Sequence, residues 1–135
     1  MPDADAAFRQ LITDRLRRTE ALAIDDADAR RAAVAVPVVE AGHGAEVPGM
    51  PRHERWSRAA ALLLTRRPQH LARHAGQWAW PGGRCEAGES AEAAALRELH
   101  EETGLVLGPQ EVLGRLDDYA TRSGFVITPV VVWAG

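Results

Sequence analysis

The sequence contains no lysine, a single cysteine, and no apolar run near the ~20 residues that a bilayer-spanning helix needs. Each shortage excludes something. With Cys85 alone, neither an intrachain disulfide nor a CxxC metal site can form, which points to a reducing, cytoplasmic compartment. The N-terminus lacks a charged-then-apolar targeting pattern, so a secreted or membrane-anchored product is not expected. All 16 basic residues are arginine, yet the net charge is −3, so no overall basic field draws the chain to nucleic acid or to an anionic membrane. Abundant alanine with no lysine reads as a compositional bias rather than selection for phosphate binding at every arginine. What is present suits one domain: 135 residues, 46% of them hydrophobic, can bury a real core.

Phe8, Leu11, Ile12 and Leu16 fall on one helix face, which predicts a helix over Phe8 to Arg18. Val34 to Val39 is β-branched and predicts a strand, placed at a sheet edge because of Pro37. Ala41 to Pro51 is rich in glycine and proline and reads as a hairpin connection. Ala59 to Leu64 reads as a buried strand, Gln69 to Gln77 as a loop and Pro81-Gly82-Gly83 as a turn. Ser90 to Thr103 carries a cap, an early acid and a closing Gly104, which together predict a helix. Val112 to Tyr119 and Phe125 to Trp133 predict two more strands, joined by a turn at Ser123-Gly124.

Glu98, Glu101 and Glu102 stand at i, i+3 and i+4, so a helix puts all three on one face. Three unpaired carboxylates so close repel one another. A divalent cation relieves that repulsion, and hard oxygen ligands select Mg2+ or Mn2+. The alternative is a solvated acidic face with intrahelical ion pairs, with Arg97 pairing to Glu89 or Glu101. The surrounding spacing decides between them. From Gly83 to Leu105 the chain reads G-x5-E-x7-R-E-L-x-E-E-x-G-L, with Glu89, Arg97, Glu98, Glu101 and Glu102 in the charged positions.

This segment resembles the signature of the Nudix hydrolases at every defined position. The resemblance implies an α/β fold: an α/β/α sandwich around a mixed sheet, with the catalytic segment as loop, helix and loop. It implies metal-dependent splitting of a diphosphate bond. Glu98, Glu101 and Glu102 would hold the metal, Arg97 and Glu89 would orient them, and Gly82 and Gly83 would let backbone approach the diphosphate. The general base stays open at this stage.

A second stretch narrows the substrate. Leu63-Leu64-Thr65-Arg66-Arg67, then His74-Ala75-Gly76-Gln77, then Trp80-Pro81-Gly82-Gly83 resemble the extra signature of the coenzyme A pyrophosphatase branch. Leu116 to Val130 is similar to the same branch. That likeness implies a small-molecule nucleotide substrate, coenzyme A or an acyl derivative, cleaved to 3′,5′-ADP and 4′-phosphopantetheine. Arg67 and Arg73 could contact its phosphates bidentately, with His74 and Gln77 donating hydrogen bonds. Three positions depart from the branch: Pro68 for serine, Ala72 for arginine, and Trp80 for phenylalanine. ADP-ribose, a dinucleotide or an oxidised nucleoside triphosphate remain alternative substrates, and a Nudix-fold binding module without turnover remains an alternative function.

Cys85 reads as an inert thiol, His100 as a surface or packing residue, Tyr119 as a core or hinge residue, and Trp56, Trp78 and Trp133 as apolar packing. The domain plan is a helical extension over 1–33 and a Nudix domain over 34–135. Nudix domains usually continue past the last strand seen here. The domain is therefore expected to be incomplete at its C-terminal end, with an exposed apolar strand at Val130 to Trp133. That expectation, with the family's habit of pairing, suggests a homodimer.

Overall fold

Strand β1 (Arg30–Gly44) is the axis of the computed structural model, which describes residues 1–66 and 76–135. Alternate side chains of β1 enter two different cores. Ala33 and Ala35 face one, Val36 and Val38 the other. Burial on both faces explains why this stretch is apolar almost without interruption. Along one edge β1 pairs in parallel with β8 (Phe125–Trp133), from Arg30↔Phe125 to Val38↔Trp133. Along the other it pairs antiparallel with β2 (Arg52–Leu62) and, nearer its start, with β5 (Gly82–Arg84). Strands β6 (Val112–Arg115) and β7 (Tyr119–Ala120) pair antiparallel with the far edge of β8. A separate short ladder joins β3 (Thr65–Arg66) to β4 (Trp78–Ala79).

Two helices cover the sheet, one on each face. Helix α1 (Ala6–Arg18) is capped by Asp5, whose carboxylate accepts the Phe8 N–H at 2.9 Å. Its Phe8, Ile12 and Leu16 pack on Val36, Val38, Leu113, Val131 and Trp133. Helix α2 (Ala91–Thr103) starts at Ser90, whose hydroxyl accepts the Ala93 N–H at 3.1 Å, and ends at Gly104 in the left-handed region, φ 81°. Its buried face is Ala94, Ala95 and Leu99 against Ala33, Ala35, Val130 and Val132. Alanine meets alanine across this contact, so helix and sheet approach closely. The result is the α/β/α sandwich with a mixed sheet that the family resemblance implies.

Several local expectations change. Pro37 is not on an edge strand but fully buried in the middle of β1. The Ala35 N–H and the Pro37 carbonyl both point to the β2/β5 edge, bonding the Pro81 carbonyl and the Leu63 N–H. The missing donor of Pro37 points the same way, into the gap between β5 and β2, so no ladder bond is lost. Residues 30–33, assigned to the extension, already belong to β1. The strand read over Ala59 to Leu64 ends at Leu62 and is only partly buried, with Ala60 in the core and Leu62 exposed, because β2 is the sheet's outer strand. Gly82 and Gly83 form a strand rather than a turn. Val112 to Tyr119 divides into β6 and β7. Val130 to Trp133 are all buried, between β1 and β6, with Val131 and Trp133 beneath α1 and Val130 and Val132 beneath α2, so the last strand is not an exposed apolar surface.

The Phe8 and Trp133 rings lie 6.4 Å apart at a tilt of 58°. Truncating Phe8 to alanine is expected to cost about 2 kcal/mol, since the half-buried ring leaves both an exposed indole and a void. Urea unfolding of Phe8→Ala measures it; an unchanged midpoint would mean that α1 is not part of the cooperative unit.

Candidate active site

The charged positions of the signature meet where α2 lies against β5. Arg97 projects from the helix into the loop that precedes it. Its Nε donates to Glu89 Oε2 at 2.9 Å and its Nη2 to Glu89 Oε1 at 2.9 Å, a bidentate pair. Nη2 also donates to the Arg84 carbonyl at 3.0 Å, and Nη1 to Glu98 at 3.0 Å and Glu101 at 3.5 Å. Both pairings weighed for Arg97 in the sequence therefore occur together. Glu89 also accepts the Glu86 N–H at 2.9 Å, which closes the loop on itself.

The three clustered acids differ in their surroundings. The Glu98 side chain is only 17% exposed and reaches over Gly83. A Cβ on Gly83 would stand 2.6 Å from Glu98 Oε1, so the glycine is required by the carboxylate beside it. Glu102 Oε2 accepts the Gly82 N–H at 3.0 Å. Glu101 is 55% exposed, and among the described residues its one ion pair is with the Arg97 guanidinium at 3.5 Å. Two of the three carboxylates thus converge on β5 and the third stands at the rim. Among the described residues, no three His, Cys, Asp or Glu side chains draw together into a preformed metal cage.

Electrostatics separate the acids further. The Glu89 carboxyl is lowered to about 2, first by its hydrogen bonds from Arg97 and then by the backbone N–H of Glu86. The Glu102 carboxyl is raised, chiefly by burial and further by the negative charge of Glu98 and Glu101, against the opposing Gly82 N–H. The Arg97 guanidinium is held more firmly in its charged form by Glu89 and Glu98. The donor chemistry of Glu98, Glu101 and Glu102 fits a divalent cation: hard oxygens, like charges, one acid already resisting ionisation.

Other expected residues are spread out. Arg67, Arg73 and His74, with Pro68 and Ala72, lie outside the described residues. Gln77 is exposed just before β4. Cys85 is half-buried and its thiol is pushed up, first by burial and then by Glu89, as suits an inert sulfur. His100 is exposed. Trp133 is core, but Trp56, Trp78 and Tyr119 are exposed rather than packed. Sequence reasoning missed the Arg84 carbonyl as an anchor for Arg97, since no side-chain pattern reports a backbone acceptor. Two cavities flank the site. One, about 370 Å³, lies at the start of α2 and is lined by Arg31, Cys85, Glu89, Arg115, Asp118 and Thr128. The other, about 340 Å³, is apolar, lined by Val47, Met50, Leu62, Leu63, Leu64 and Trp78. Neither is lined by the three clustered glutamates.

The two glycines should respond differently to alanine. At Gly82 the new Cβ meets the Ala33 carbonyl and Val34, including its backbone, and the expected cost is about 1–3 kcal/mol. At Gly83 it meets the end of a flexible side chain, so stability should fall by under about 1 kcal/mol while Glu98 swings away. Unfolding curves of Gly82→Ala and Gly83→Ala test the contrast; equal destabilisation would contradict it.

The Glu89–Arg97 pair gives a pH signature. Glu89 has a lowered carboxyl in the fold, so its stabilisation is complete above about 4.5 and disappears as pH falls toward about 2. Arg97→Gln should remove that part of the acid dependence and let Glu89 titrate in the ordinary range. Carboxyl titration by NMR, with unfolding measured from pH 2 to 5, checks both.

The chain matches known proteins in sequence and in fold. The NUDIX domain model matches residues 29–133. The uncharacterized Nudix hydrolase NudL of Yersinia enterocolitica is 46% identical over 71 residues, covering 52% of this chain and 36% of that protein. The protein of the same name from Enterobacter sp. strain 638 is 40% identical over 103 residues, covering 76% of this chain and 45% of its own. The chain therefore spans less than half the length of these two relatives. Among solved structures, the M. smegmatis Nudix hydrolase RenU matches with a TM-score of 0.53 at 27% identity, over 78% of this chain and 61% of its own. An Enterococcus faecalis MutT/nudix family protein matches at 0.56 with 19% identity, over 97% of this chain and 49% of its own, a likeness of fold alone. With the family model spanning β1 through β8 and all of α2, the chain belongs to the Nudix family.

Proposed function

We propose that this chain is the catalytic domain of a metal-dependent diphosphatase acting on a small nucleotide derivative, with coenzyme A or acyl-coenzyme A as the favoured substrate. One observation carries the reading. Two carboxylates of one helix, Glu98 and Glu102, lean onto the half-buried backbone of Gly82 and Gly83, and Arg97 braces the first. Nudix hydrolases in general use divalent metal ions and act on nucleotide-derived substrates.

Glu98, Glu101 and Glu102 would hold Mg2+ or Mn2+. When bound, such an ion neutralises phosphate charge and lowers the pKa of a bound water. The rest is the work of the chain. The glycines of β5 let β1 and the Glu98 carboxylate close on the strand, which gathers the acids where the diphosphate would be bound. Arg97 fixes the Glu98 carboxylate through Nη1 while its other nitrogens hold Glu89 and the Arg84 carbonyl. Its role is positioning. The Glu102 carboxyl is raised by burial and by the charge of Glu98 and Glu101, a repulsion that a bound cation would relieve.

The coenzyme A preference rests on the pattern from Leu63 to Gly83, including Arg67, Arg73, His74 and Gln77. No helix among the described residues is long and apolar enough to cross a membrane.

Glu102→Gln should lower kcat by about 100-fold or more while leaving the unfolding midpoint nearly unchanged. Parallel assays of coenzyme A and ADP-ribose with Mg2+ and with Mn2+ decide the substrate. Release of 3′,5′-ADP supports the favoured one. Faster turnover of ADP-ribose would move the assignment to that class. A folded chain that binds nucleotide without metal-stimulated hydrolysis would make it a binding module.

A further inference from the structure

Exposed apolar side chains gather at one place on this chain. Leu62, Leu64, Met50 and Trp78 are each between 41% and 55% exposed, and all four line one cavity of about 340 Å³. A large apolar residue exposed singly is ordinary, but four converging on one hollow are not. The cavity is walled by the connection from β1 to β2, through Val47 and Met50, by Leu62, Leu63 and Leu64 at the end of β2, and by Trp78 of β4. Arg66 keeps Trp78 in place. Its guanidinium carbon lies 5.4 Å from the indole centroid while its Nε donates to the Gly76 carbonyl at 3.0 Å.

The hollow lies beside the proposed diphosphate site. The Leu63 N–H bonds the Pro37 carbonyl, and the Ala35 N–H bonds the Pro81 carbonyl, so both segments attach to one edge of β1 only two residues apart. On the same edge Leu62 pairs with Val38 and Gly82 with Val34, four residues apart. At about 3.3 Å per residue, the near wall of the cavity stands about 7–13 Å along β1 from the Pro81–Gly82 backbone. Leu63 also packs on the α2 cluster, so this wall is shared with the helix that carries Glu98 and Glu102. Among the described residues every lining side chain is apolar. A phosphate, ribose or adenine placed there would give up hydrogen bonds to water without gaining others, whereas a hydrocarbon group would lose none. The volume is that of a small-ligand pocket, while a stable protein interface takes about 20–30 residues a side.

We propose that this cavity holds an apolar end group of the substrate, carried on a linker that can span about 7–13 Å from the diphosphate. This rests on the diphosphatase reading above and decides what that reading leaves open, the acylated substrate over the free thiol. Selectivity then comes from the part of the substrate beyond the diphosphate. The nucleotide is common to both forms and cannot supply it.

Calorimetric titration without metal separates this proposal from turnover. Octanoyl-coenzyme A should bind the unmodified chain about 10-fold or more tighter than coenzyme A, because its hydrocarbon chain leaves water. S-octanoyl-pantetheine, which carries neither diphosphate nor nucleotide, should compete with it, and pantetheine should not. Leu62→Gln and Met50→Gln change side chains that are 55% exposed, so the fold should survive. Each should shrink the ratio several-fold with coenzyme A affinity little changed, while Leu62→Met should keep it. Equal affinity of the unmodified chain for octanoyl-coenzyme A and coenzyme A overturns the pocket, and that comparison needs no variant to fold. Variants that weaken both ligands equally also overturn it. Sedimentation supplies the remaining arm: a chain that dimerises alone and becomes monomeric with Leu62→Gln would make the hollow an interface between copies instead. If no diphosphate is hydrolysed under any condition, the diphosphatase reading fails on its own, and the octanoyl-pantetheine competition still decides the pocket.

Discussion

The Arg97 guanidinium is the joint on which the rest of the site depends. Its donors bond both oxygens of Glu89, one of Glu98, one of Glu101 and the Arg84 carbonyl. Loop, strand and helix are thereby tied at one planar group. Lysine could not do this, since a single ammonium cannot present parallel N–H bonds to one carboxylate and a third to a carbonyl beyond it. The fold brings the joint within reach by removing side chains. Alanines of α2 meet alanines of β1, and glycines occupy β5, so helix and strand close to a distance that larger residues would prevent.

The same closeness separates the acids into two kinds. Glu89 sits among donors and is strongly acidic; Glu102 is pushed up by burial first and then by the carboxylates beside it. These opposite shifts arise on residues of like chemistry, so the surroundings alone set them. A permanently charged Glu89 keeps Arg97 in place at any ordinary pH.

Much of this was legible in the sequence because helices write their geometry in fixed steps. The spacing of Glu98, Glu101 and Glu102 gives a shared face, and Ser90 and Gly104 mark the ends of α2. Strand context is harder to read, because it depends on neighbours that are distant along the chain. Pro37 suggests an edge, yet its missing donor faces a gap between two strands that only the tertiary fold creates. Ala59 to Leu64 is apolar enough for a core, yet β2 lies outermost. Pro81-Gly82-Gly83 has the composition of a turn, yet the glycines serve close approach to Glu98 and to β1.

One feature of α2 argues for a functional reason behind its acids, independent of any likeness to other proteins. Glu101 and Glu102 occupy the last turn of the helix, where unsatisfied carbonyls give the axis its negative end. Stability alone would place cations there, and the last turn offers only His100 as a basic residue. The pair adds to the charge of Glu98, and one guanidinium, already committed to Glu89, is the nearest compensation. Local preference and observed sequence therefore conflict at this turn, while everywhere else on α2 they agree: a serine cap, an acid in the first turn, small apolar residues inward, glycine at the close. A conflict confined to one turn, beside the two glycines of β5, falls where the proposed cation would be held.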